Sequence, residues 1–349
     1  MKTADFSFDL PGELIAQHPS ARREAARLMV LDRGTGETQH RAVADLPDLL
    51  IPGTVMVCND SRVRKARFSA RVAGADSERE FLLVRAVPGG TDDAGRSSRW
   101  EAMTRKPSRL RVGTVVEFPD GRAATVTGHR SAFVLLSFDT PLDEAYFAAW
   151  GHVPLPPYID RQDEDEDESR YQTVYAREPG SVAAPTAGLH FTAELLERIE
   201  QLGIQIEWVR LHVGIGTFLP VRVDEIERHE MHEERCELLP DVAGRLNVAR
   251  EAGRPILAVG TTSVRTLESA WDEERQSIVG FSGETRLFIT PGYRFRVVDM
   301  LFTNFHTPRS TLLMLVAAFA GRERVLAAYE EAVRRRYRFY SYGDAMLIG

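Results

Sequence analysis

Six short stretches with strand character follow one another between Ala66 and Phe138, and almost no helical pattern interrupts them. Glycine, proline, aspartate and serine separate them at regular intervals, as turns do in all-β modules. Segments with α/β patterning precede and follow this block. The sequence therefore predicts an α/β main domain at residues 1–63 and 150–349, with an inserted all-β, six-stranded, barrel-like domain at residues 64–149. The predicted strands are Phe68–Val72, Phe81–Val87, Trp100–Thr104, Thr114–Phe118, Ala123–Thr127 and Phe133–Phe138.

The formal net charge of −7 hides an uneven distribution along the chain. Asp163–Glu168 supplies six of the 51 acidic residues, and such a run is typical of a mobile surface loop. Residues 62–111 hold 13 Lys and Arg against six Asp and Glu. A basic module of this kind fits a surface that contacts phosphates, and it fits a merely solvated face equally well.

Cysteine usage and hydropathy bear on the compartment. The two cysteines, Cys58 and Cys236, form no CxxC pair and cannot build a disulfide framework. No run of 18 apolar residues is present, and the N-terminus lacks the charged start and apolar centre of a signal peptide. These patterns predict a soluble, cytoplasmic protein without a membrane partner.

The stretch Ser181–Val221 reads as loop, helix, strand and loop. Thr192 is a fitting N-cap for the helix, and the strand alternates apolar and polar residues. Each flank places one imidazole beside glycines, where the backbone can approach a ligand closely. We expect this frame to hold the active site, because open α/β sheets bind small molecules at such ends. Its candidate residues are Pro185, Thr186, Gly188, His190, His212, Gly214, Gly216 and Thr217.

Two further strand ends carry polar residues. Asp60 and Arg62 follow the predicted strand Thr54–Cys58, where they either form a turn that caps its own backbone or face a ligand. Asn304 and His306 precede the apolar helix predicted at Ser310–Phe319.

The segment Pro255–Glu268 has a strand-turn-helix pattern. We expect a Thr or Ser after Gly260 to cap the helix, with Thr261, Ser263 and Arg265 near its N-terminus. Its free N–H groups suit a carboxylate or phosphate, although an ordinary strand-helix connection has the same pattern.

A metal site is the weaker interpretation of the histidine pair His229 and His232. With His212 the pair gives three imidazoles, but the spacing is not HExxH and nothing fixes the third ligand. We therefore expect no metal.

Taken together, several motifs are distinctive: PTAGLHFT, LHVGIGTFLPV, HEMH, VGTTSVRTLES, FITPGY, TNFHTPRSTLLMLVAAFAG and YRFYSYGDAMLI. With NDSRV, VPLPPYI and YQTVYA, they resemble the S-adenosylmethionine:tRNA ribosyltransferase-isomerase family of queuosine synthesis, in order and over nearly the whole chain. One departure is visible, since Arg64-Lys65 stands where the family usually has an apolar residue and proline.

The resemblance implies a monomeric cytoplasmic transferase with S-adenosylmethionine as ribosyl donor and co-substrate. Its acceptor would be 7-aminomethyl-7-deazaguanine in the anticodon of tRNA, at the wobble position. The products would be epoxyqueuosine in tRNA, adenine and methionine. The implied fold is an α/β main domain with an inserted β-barrel.

This chemistry needs a base beside the sulfonium-activated ribose carbon and a dry site. We expect His190 and His212 to transfer protons, and Thr186 and Thr217 to orient substrate hydroxyls. Asp60 is predicted to bond the ribose or the aminomethyl cation. Ser263 and Arg265 are predicted to hold the methionine carboxylate.

Two alternatives stay open. A methyltransferase would use the same co-substrate, but Gly214 and Gly216 alone are weak support and no GxGxxG is present. A noncatalytic tRNA-binding protein would use only the basic module, and it would leave the glycine-histidine turns without a purpose.

Overall fold

The computed structural model describes residues 1–74, 78–87, 89, 92, 96–214, 216, 221 and 223–349. The strands within these ranges are β1 (Arg27–Leu31), β2 (Thr38–Ala42), β3 (Val55–Asn59), β4 (Ser61–Val63), β5 (Arg67–Val72), β6 (Glu78–Ala86), β7 (Ser97–Thr104), β8 (Val115–Glu117), β9 (Ala123–Arg130), β10 (Phe133–Leu142), β11 (Glu178–Ser181), β12 (Gln205–Leu211), β13 (Glu234–Leu238), β14 (Ile256–Val259), β15 (Trp271–Asp272), β16 (Ser277–Ile278), β17 (Phe281–Thr285), β18 (Met300–Asn304) and β19 (Ala345–Ile348). The α-helices are α1 (Leu46–Leu49), α2 (Glu144–Trp150), α3 (Asp165–Arg170), α4 (Ala193–Gln201), α5 (Pro240–Glu251), α6 (Thr261–Ser269), α7 (Thr311–Ala320) and α8 (Arg322–Arg334).

A mixed sheet forms the centre of the protein. Among the described residues it has nine strands, in the order β17-β13-β12-β3-β14-β18-β19-β1-β2. The neighbours β12, β3, β14 and β18 run parallel to one another, whereas β13, β17 and β19 pair antiparallel with their inner neighbours. The carboxyl ends of the four parallel strands therefore meet at one edge of the sheet.

Both faces of this sheet are covered, which explains the continuous apolar runs in its central strands. In β3, Val55 and Val57 pack into the core formed with α5 to α8, while Met56 and Cys58 pack into the core formed with α1 and α4. Because successive side chains point to opposite faces, the same alternation recurs in β14. Cys58 is fully buried, as its place in a core strand predicts.

Strands β5 to β10 close into a barrel, in the order β10-β7-β6-β5-β8-β9 within the described residues. Along β5 the inward side chains Phe68 and Ala70 are buried, and the outward Ser69 and Arg71 are exposed. Helix α2 packs onto this core, with the ring of Phe147 5.6 Å from that of Phe68. The predicted fold class, an α/β main domain with an inserted six-stranded barrel, is confirmed.

The chain enters and leaves the barrel through two adjacent segments. The amide of His152 donates to the carbonyl of Arg67 at 2.8 Å, and the reverse bond measures 3.3 Å. Gly151 lies so close to the other segment that a Cβ there would overlap the carbonyl oxygen of Lys65. The two crossings therefore touch backbone to backbone.

The prediction that Asp163–Glu168 forms a mobile surface loop is wrong. Helix α3 begins at Asp165, and the side chain of Asp167 is only 2% exposed. Arg161 binds this carboxylate with two hydrogen bonds of 2.6 and 2.9 Å, and the Tyr342 hydroxyl donates a third of 2.7 Å. Burial raises the pKa of Asp167, but these hydrogen bonds outweigh it and lower the pKa overall. Part of the acidic run is thus a buried anchor.

Candidate active site

A narrow cleft opens at the edge where the four parallel strands end. Val213 follows β12, Gly260 and Thr261 follow β14, and Asn304 ends β18. Thr186 and Ala187, which begin the 3₁₀ turn Thr186–His190, form another part of the wall. The carboxyl edge of parallel strands is where open α/β sheets bind ligands. The predicted residues Pro185, Thr186, Thr261, Asn304 and His306 all line this cleft.

Asn304 connects the cleft to His190. Its amide nitrogen donates to Nε2 of His190 and to the carbonyl of Tyr340, each at 3.1 Å. Because Nε2 accepts this bond, the neutral ring of His190 carries its proton on Nδ1. Burial, together with the nearby positive charge of Arg338, lowers the pKa of His190 to about 3. His190 therefore lies behind Asn304 and holds its amide, outside the group of described residues that form the cleft wall.

His306 lies in the cleft wall itself. Its Nε2 shares a hydrogen bond of 2.9 Å with the Thr303 hydroxyl, and its backbone amide donates to the Tyr329 hydroxyl at 3.1 Å. Burial lowers the pKa of His306 to about 3, so the ring is neutral at physiological pH. Among the described residues, no group bonds its Nδ1. His306 is thus the histidine of the cleft wall among the described residues.

Three polar atoms of the cleft residues are buried without a hydrogen-bond partner among the described residues: Oδ1 of Asn304, Oγ1 of Thr262 and the hydroxyl of Tyr171. Unpaired buried polar atoms are rare, because each costs about 1–3 kcal/mol. A bound ligand with complementary donors and acceptors would remove that cost. The cleft thus has the polar wall of a binding site.

The N-terminus of α6 faces the same cleft. Gly260 occupies the N-cap with φ of 88°, and no side chain caps the helix. The predicted Thr or Ser cap is therefore wrong. The Ser263 hydroxyl instead donates at 2.8 Å to the carbonyl of Val259, the last residue of β14. The first-turn N–H groups at Thr261 and Thr262 stay available to a polar ligand.

His212 occupies a different place from His306. Its ring packs against Gly180, where a Cβ would lie 2.6 Å from Nδ1. This Nδ1 is buried without a partner among the described residues. Burial, together with the charges of Arg210 and Arg235, lowers the pKa of His212 to about 4. Val213 lines the cleft, whereas His212 is not among the described residues that form its wall.

Asp60 and Arg62 also lie outside the cleft wall. Arg210 binds both carboxylate oxygens of Asp60 at 3.0 Å, which makes this buried residue one half of an ion pair. The exposed Arg62 lines a separate groove between the barrel and the main domain. The structure does not bring these two side chains to Asn304 and His306.

Arg265 is buried one turn into α6. It forms an ion pair with Glu234 and donates to the carbonyl of Leu287 at 3.1 Å. Its Nη2 has no partner among the described residues, and burial lowers its pKa to about 10. Arg265 lines a second small cavity, which shares Leu312 with the cleft. Its predicted contact with the methionine carboxylate stays a prediction.

Three of the predicted glycines, Gly188, Gly214 and Gly216, lie in close contact with other residues. A Cβ on Gly188 would overlap the Tyr175 hydroxyl and come within 2.7 Å of Thr173 Cγ2. The amide of Gly214 donates to Glu234 at 2.9 Å. Gly216 faces the ring of His232, and Thr217 lies outside the described residues.

Sequence reasoning missed several cleft residues. Tyr158 lines the cleft, and its hydroxyl bonds Ser341 at 2.6 Å; Tyr171, Thr262 and Tyr340 also line it. All of them belong to motifs that were recognisable, such as VPLPPYI and YRFYSYGDAMLI. The usable signal was their position in those motifs, because spacing alone does not tell which hydroxyl faces a cavity.

The described ranges contain neither a set of metal ligands nor a membrane-spanning helix. No group of three or more His, Cys, Asp or Glu side chains there is arranged to hold a metal ion. In the same part of the chain, every helix is too short or too polar to cross a bilayer.

The cleft is polar, lies at the carboxyl edge of parallel strands and contains uncapped helix N–H groups. These features are typical of α/β enzymes that bind a polar small molecule. The chain belongs to the queuosine biosynthesis protein family, whose model matches residues 3–348. This match confirms the predicted family.

Similar proteins cover the chain from end to end. A protein of Treponema denticola is 48% identical over 100% of both chains, and one of Anaeromyxobacter sp. (strain K) is 51% identical over 100% of this chain and 99% of its own. Both are named S-adenosylmethionine:tRNA ribosyltransferase-isomerase. The crystal structure of S-adenosylmethionine tRNA ribosyltransferase from Thermotoga maritima is 37% identical, covers 99% of this chain and 100% of its own, and gives a TM-score of 0.56.

Proposed function

We propose that this protein is an S-adenosylmethionine:tRNA ribosyltransferase-isomerase. It moves the ribosyl group of S-adenosylmethionine onto 7-aminomethyl-7-deazaguanine at the wobble position of tRNA, and it releases adenine and methionine. The observation that carries the proposal is the similarity over the whole length to relatives of that name, at 48–51% identity. The unpaired polar atoms in the cleft support a polar substrate there.

S-adenosylmethionine acts as co-substrate in this proposal, and no metal takes part. Its sulfonium acidifies the adjacent ribose carbon, so a base can remove a proton from it. Adenine then leaves, the aminomethyl nitrogen of the tRNA base forms a bond to the sugar, and closure of the epoxide breaks the carbon–sulfur bond and expels methionine.

Among the cleft residues, His306 is the group that we assign to accept this proton. Its Nδ1 has no hydrogen-bond partner among the described residues, and the ring is unprotonated at physiological pH because burial lowers its pKa to about 3. Thr303 fixes the orientation of the ring through the opposite nitrogen. His190 acts through Asn304, because its Nε2 holds the amide whose unpaired oxygen belongs to the cleft.

The proposal also covers the domain boundaries, the oligomeric state and the cellular compartment. Residues 64–149 form the barrel domain, which contacts tRNA through the basic excess of residues 62–111. Residues 1–63 and 150–349 form the catalytic domain. The protein works as a monomer in the cytoplasm, where its tRNA substrate is found.

Mass spectrometry of the products tests the activity. The protein is incubated with S-adenosylmethionine and tRNA that carries the aminomethyl base. The expected result is a mass gain on the tRNA together with free adenine and methionine. S-adenosylhomocysteine in place of adenine would identify a methyltransferase, and tRNA binding without any product would identify a noncatalytic protein.

Variants test the assignment of His306. H306Q should lower kcat by about 10²-fold or more, as the loss of a proton acceptor does. H40Q is the matched control, because His40 bonds Tyr337 and Glu331 away from the cleft residues. Loss of turnover in H190Q or H212Q, with H306Q still active, would instead assign the proton transfer to His190 or His212, the histidines predicted from the sequence.

A further inference from the structure

Three arginines gather around the short loop that contains Ser20 and Ala21, beside the cleft. They are Arg23, Arg170 and Arg338. Arg170 directly precedes the cleft residue Tyr171, and Arg338 stands two residues before the cleft residue Tyr340. Arg23 donates to the carbonyl of Leu189, and the charge of Arg338 acts on His190, whose ring bonds Asn304 of the cleft wall. The cluster therefore lies next to the cleft wall.

Arg23 has an unusual set of partners for a half-buried cation. Its two terminal nitrogens donate to the carbonyls of Leu189 at 2.9 Å and Ser169 at 2.7 Å. No carboxylate of the described chain forms an ion pair with it. Burial lowers the pKa of Arg23, and the positive charge of Arg170 lowers it further. This guanidinium is thus near another cation without a counter-ion of its own.

Each of the other two arginines has one carboxylate partner, so the cluster of three cations keeps an excess of positive charge. Arg170 donates to the carbonyl of Ser20 at 2.5 Å, its only ion pair in the described ranges is with the exposed Glu166, and its Nε is buried without a partner there. Arg338 donates to the Ser20 hydroxyl at 2.8 Å, and Asp344 is 4.0 Å away. That carboxylate already accepts the backbone amide of Arg338 itself.

Fixing the loop does not require three guanidinium groups. Neutral donors would satisfy the same carbonyls, whereas like charges held together and partly desolvated raise the free energy of the protein. An anion at the cluster would lower it, and each guanidinium keeps N–H groups beyond those already bonded. Planar, fork-shaped donors match phosphate oxygens well.

We propose that Arg23, Arg170 and Arg338 bind a backbone phosphate of the tRNA next to the base that enters the cleft. The inference rests on the proposed function, since it requires an RNA substrate. A phosphate fits better than the methionine carboxylate of S-adenosylmethionine, because the three cations are not among the described residues that line the cleft. The cluster then sets which nucleotide reaches Asn304 and His306.

The salt dependence of tRNA binding tests this inference. The dissociation constant of the full-length protein for a tRNA transcript is measured from 50 to 200 mM KCl for the wild type, R23Q and R338Q. Loss of one phosphate contact in a single-stranded loop reduces the slope of log Kd against log salt by about 0.7. Over this fourfold range the wild type should therefore lose about 2.6-fold more affinity than either variant.

R254Q is the matched control. Arg254 also bonds oxygen atoms without an ion pair in the described chain, through Gly53 at 2.6 Å and Gln205 at 3.0 Å, but it lies before β14 at the opposite edge of the sheet. Its slope should equal that of the wild type. S-adenosylmethionine binding, measured by calorimetry, should be unchanged in R23Q and R338Q.

Two results would contradict a phosphate site at the three arginines. Slopes in both variants equal to the wild type, or weaker S-adenosylmethionine binding with normal tRNA binding, would overturn the phosphate site. If R23Q does not fold, R338Q and the charge-retaining R23K still give the comparison, and R23K should keep most of the slope. Absence of any adenine release by the wild type would instead count against the proposed function, whatever the slopes.

Discussion

Acid should destabilise this protein in a way that can be traced to two buried histidines. His190 and His306 are 4% and 8% exposed, and burial lowers the pKa of each to about 3. In the unfolded chain a histidine has a pKa near 6.5. The unfolded state therefore binds protons before the folded state does as the pH falls.

The direction and magnitude of the pH effect on the free energy of unfolding follow from this difference in pKa. Stability is highest above pH 6.5, where both states are neutral, and it falls as the pH drops from about 6.5 towards 3. At pH 5.5, about one unit below the unfolded pKa, each ring costs about 1.4 kcal/mol of the free energy of unfolding. His190 and His306 together should cost about 3 kcal/mol between pH 7.5 and 5.5.

Urea unfolding at pH 7.5 and 5.5, followed by tryptophan fluorescence, measures this loss. H190Q and H306Q each keep a polar atom near the position of Nε2 but cannot titrate. Each variant should therefore lose about 1.4 kcal/mol less than the wild type between the two pH values. H18Q is the control, because the side chain of His18 is exposed.

Comparing each variant with the wild type cancels the contribution of the carboxylates to the pH dependence of stability. Burial raises the pKa of Glu268, for example, and such a group gains stability in acid. This effect is the same in wild type and variant, so it cancels in the difference. If H190Q and H306Q lose as much stability as the wild type, the two rings are not buried in the neutral form and the reasoning fails.

Glycine substitutions give two further predictions. G151A should lower the free energy of unfolding by at least about 3 kcal/mol, because its Cβ would overlap the carbonyl of Lys65 where backbone has no room to move. G188A should lower it by about 1–3 kcal/mol through overlap with the Tyr175 hydroxyl, and an unchanged urea midpoint in either variant would contradict these contacts. G244A is the control for both, since this exposed site in α5 has no atom within 4 Å and alanine there should stabilise by about 0.5–1 kcal/mol.

Local patterns predicted much of the fold. Thr192 caps α4 by accepting the amide of Leu195 at 3.1 Å, as its position before an apolar period predicts. The six barrel strands were recognisable because each alternates and ends at turn residues. These signals are local in the chain, so a single sequence carries them.

The site was predictable as a set of segments but not as a set of side chains. Val213 faces the cleft and His212 does not, and this choice depends on how β12 pairs with β3 and packs against its neighbours. His190 lies behind Asn304, a residue 114 positions away. Which of two adjacent residues meets a ligand is decided by such long-range packing, which spacing does not encode.

The departure at Arg64-Lys65 shows how distant parts of a sequence compensate each other. Lys65 forms an ion pair of 2.6 Å with Glu168, at the end of the acidic run, and Arg64 pairs with Glu144 of α2. The acidic run and one of the two extra cations, Lys65, are thus partners at the junction of barrel and sheet, whereas Arg64 pairs with the helix that follows the barrel strands. The acidic run therefore binds the junction electrostatically, and composition alone could not distinguish this role from that of a solvated loop.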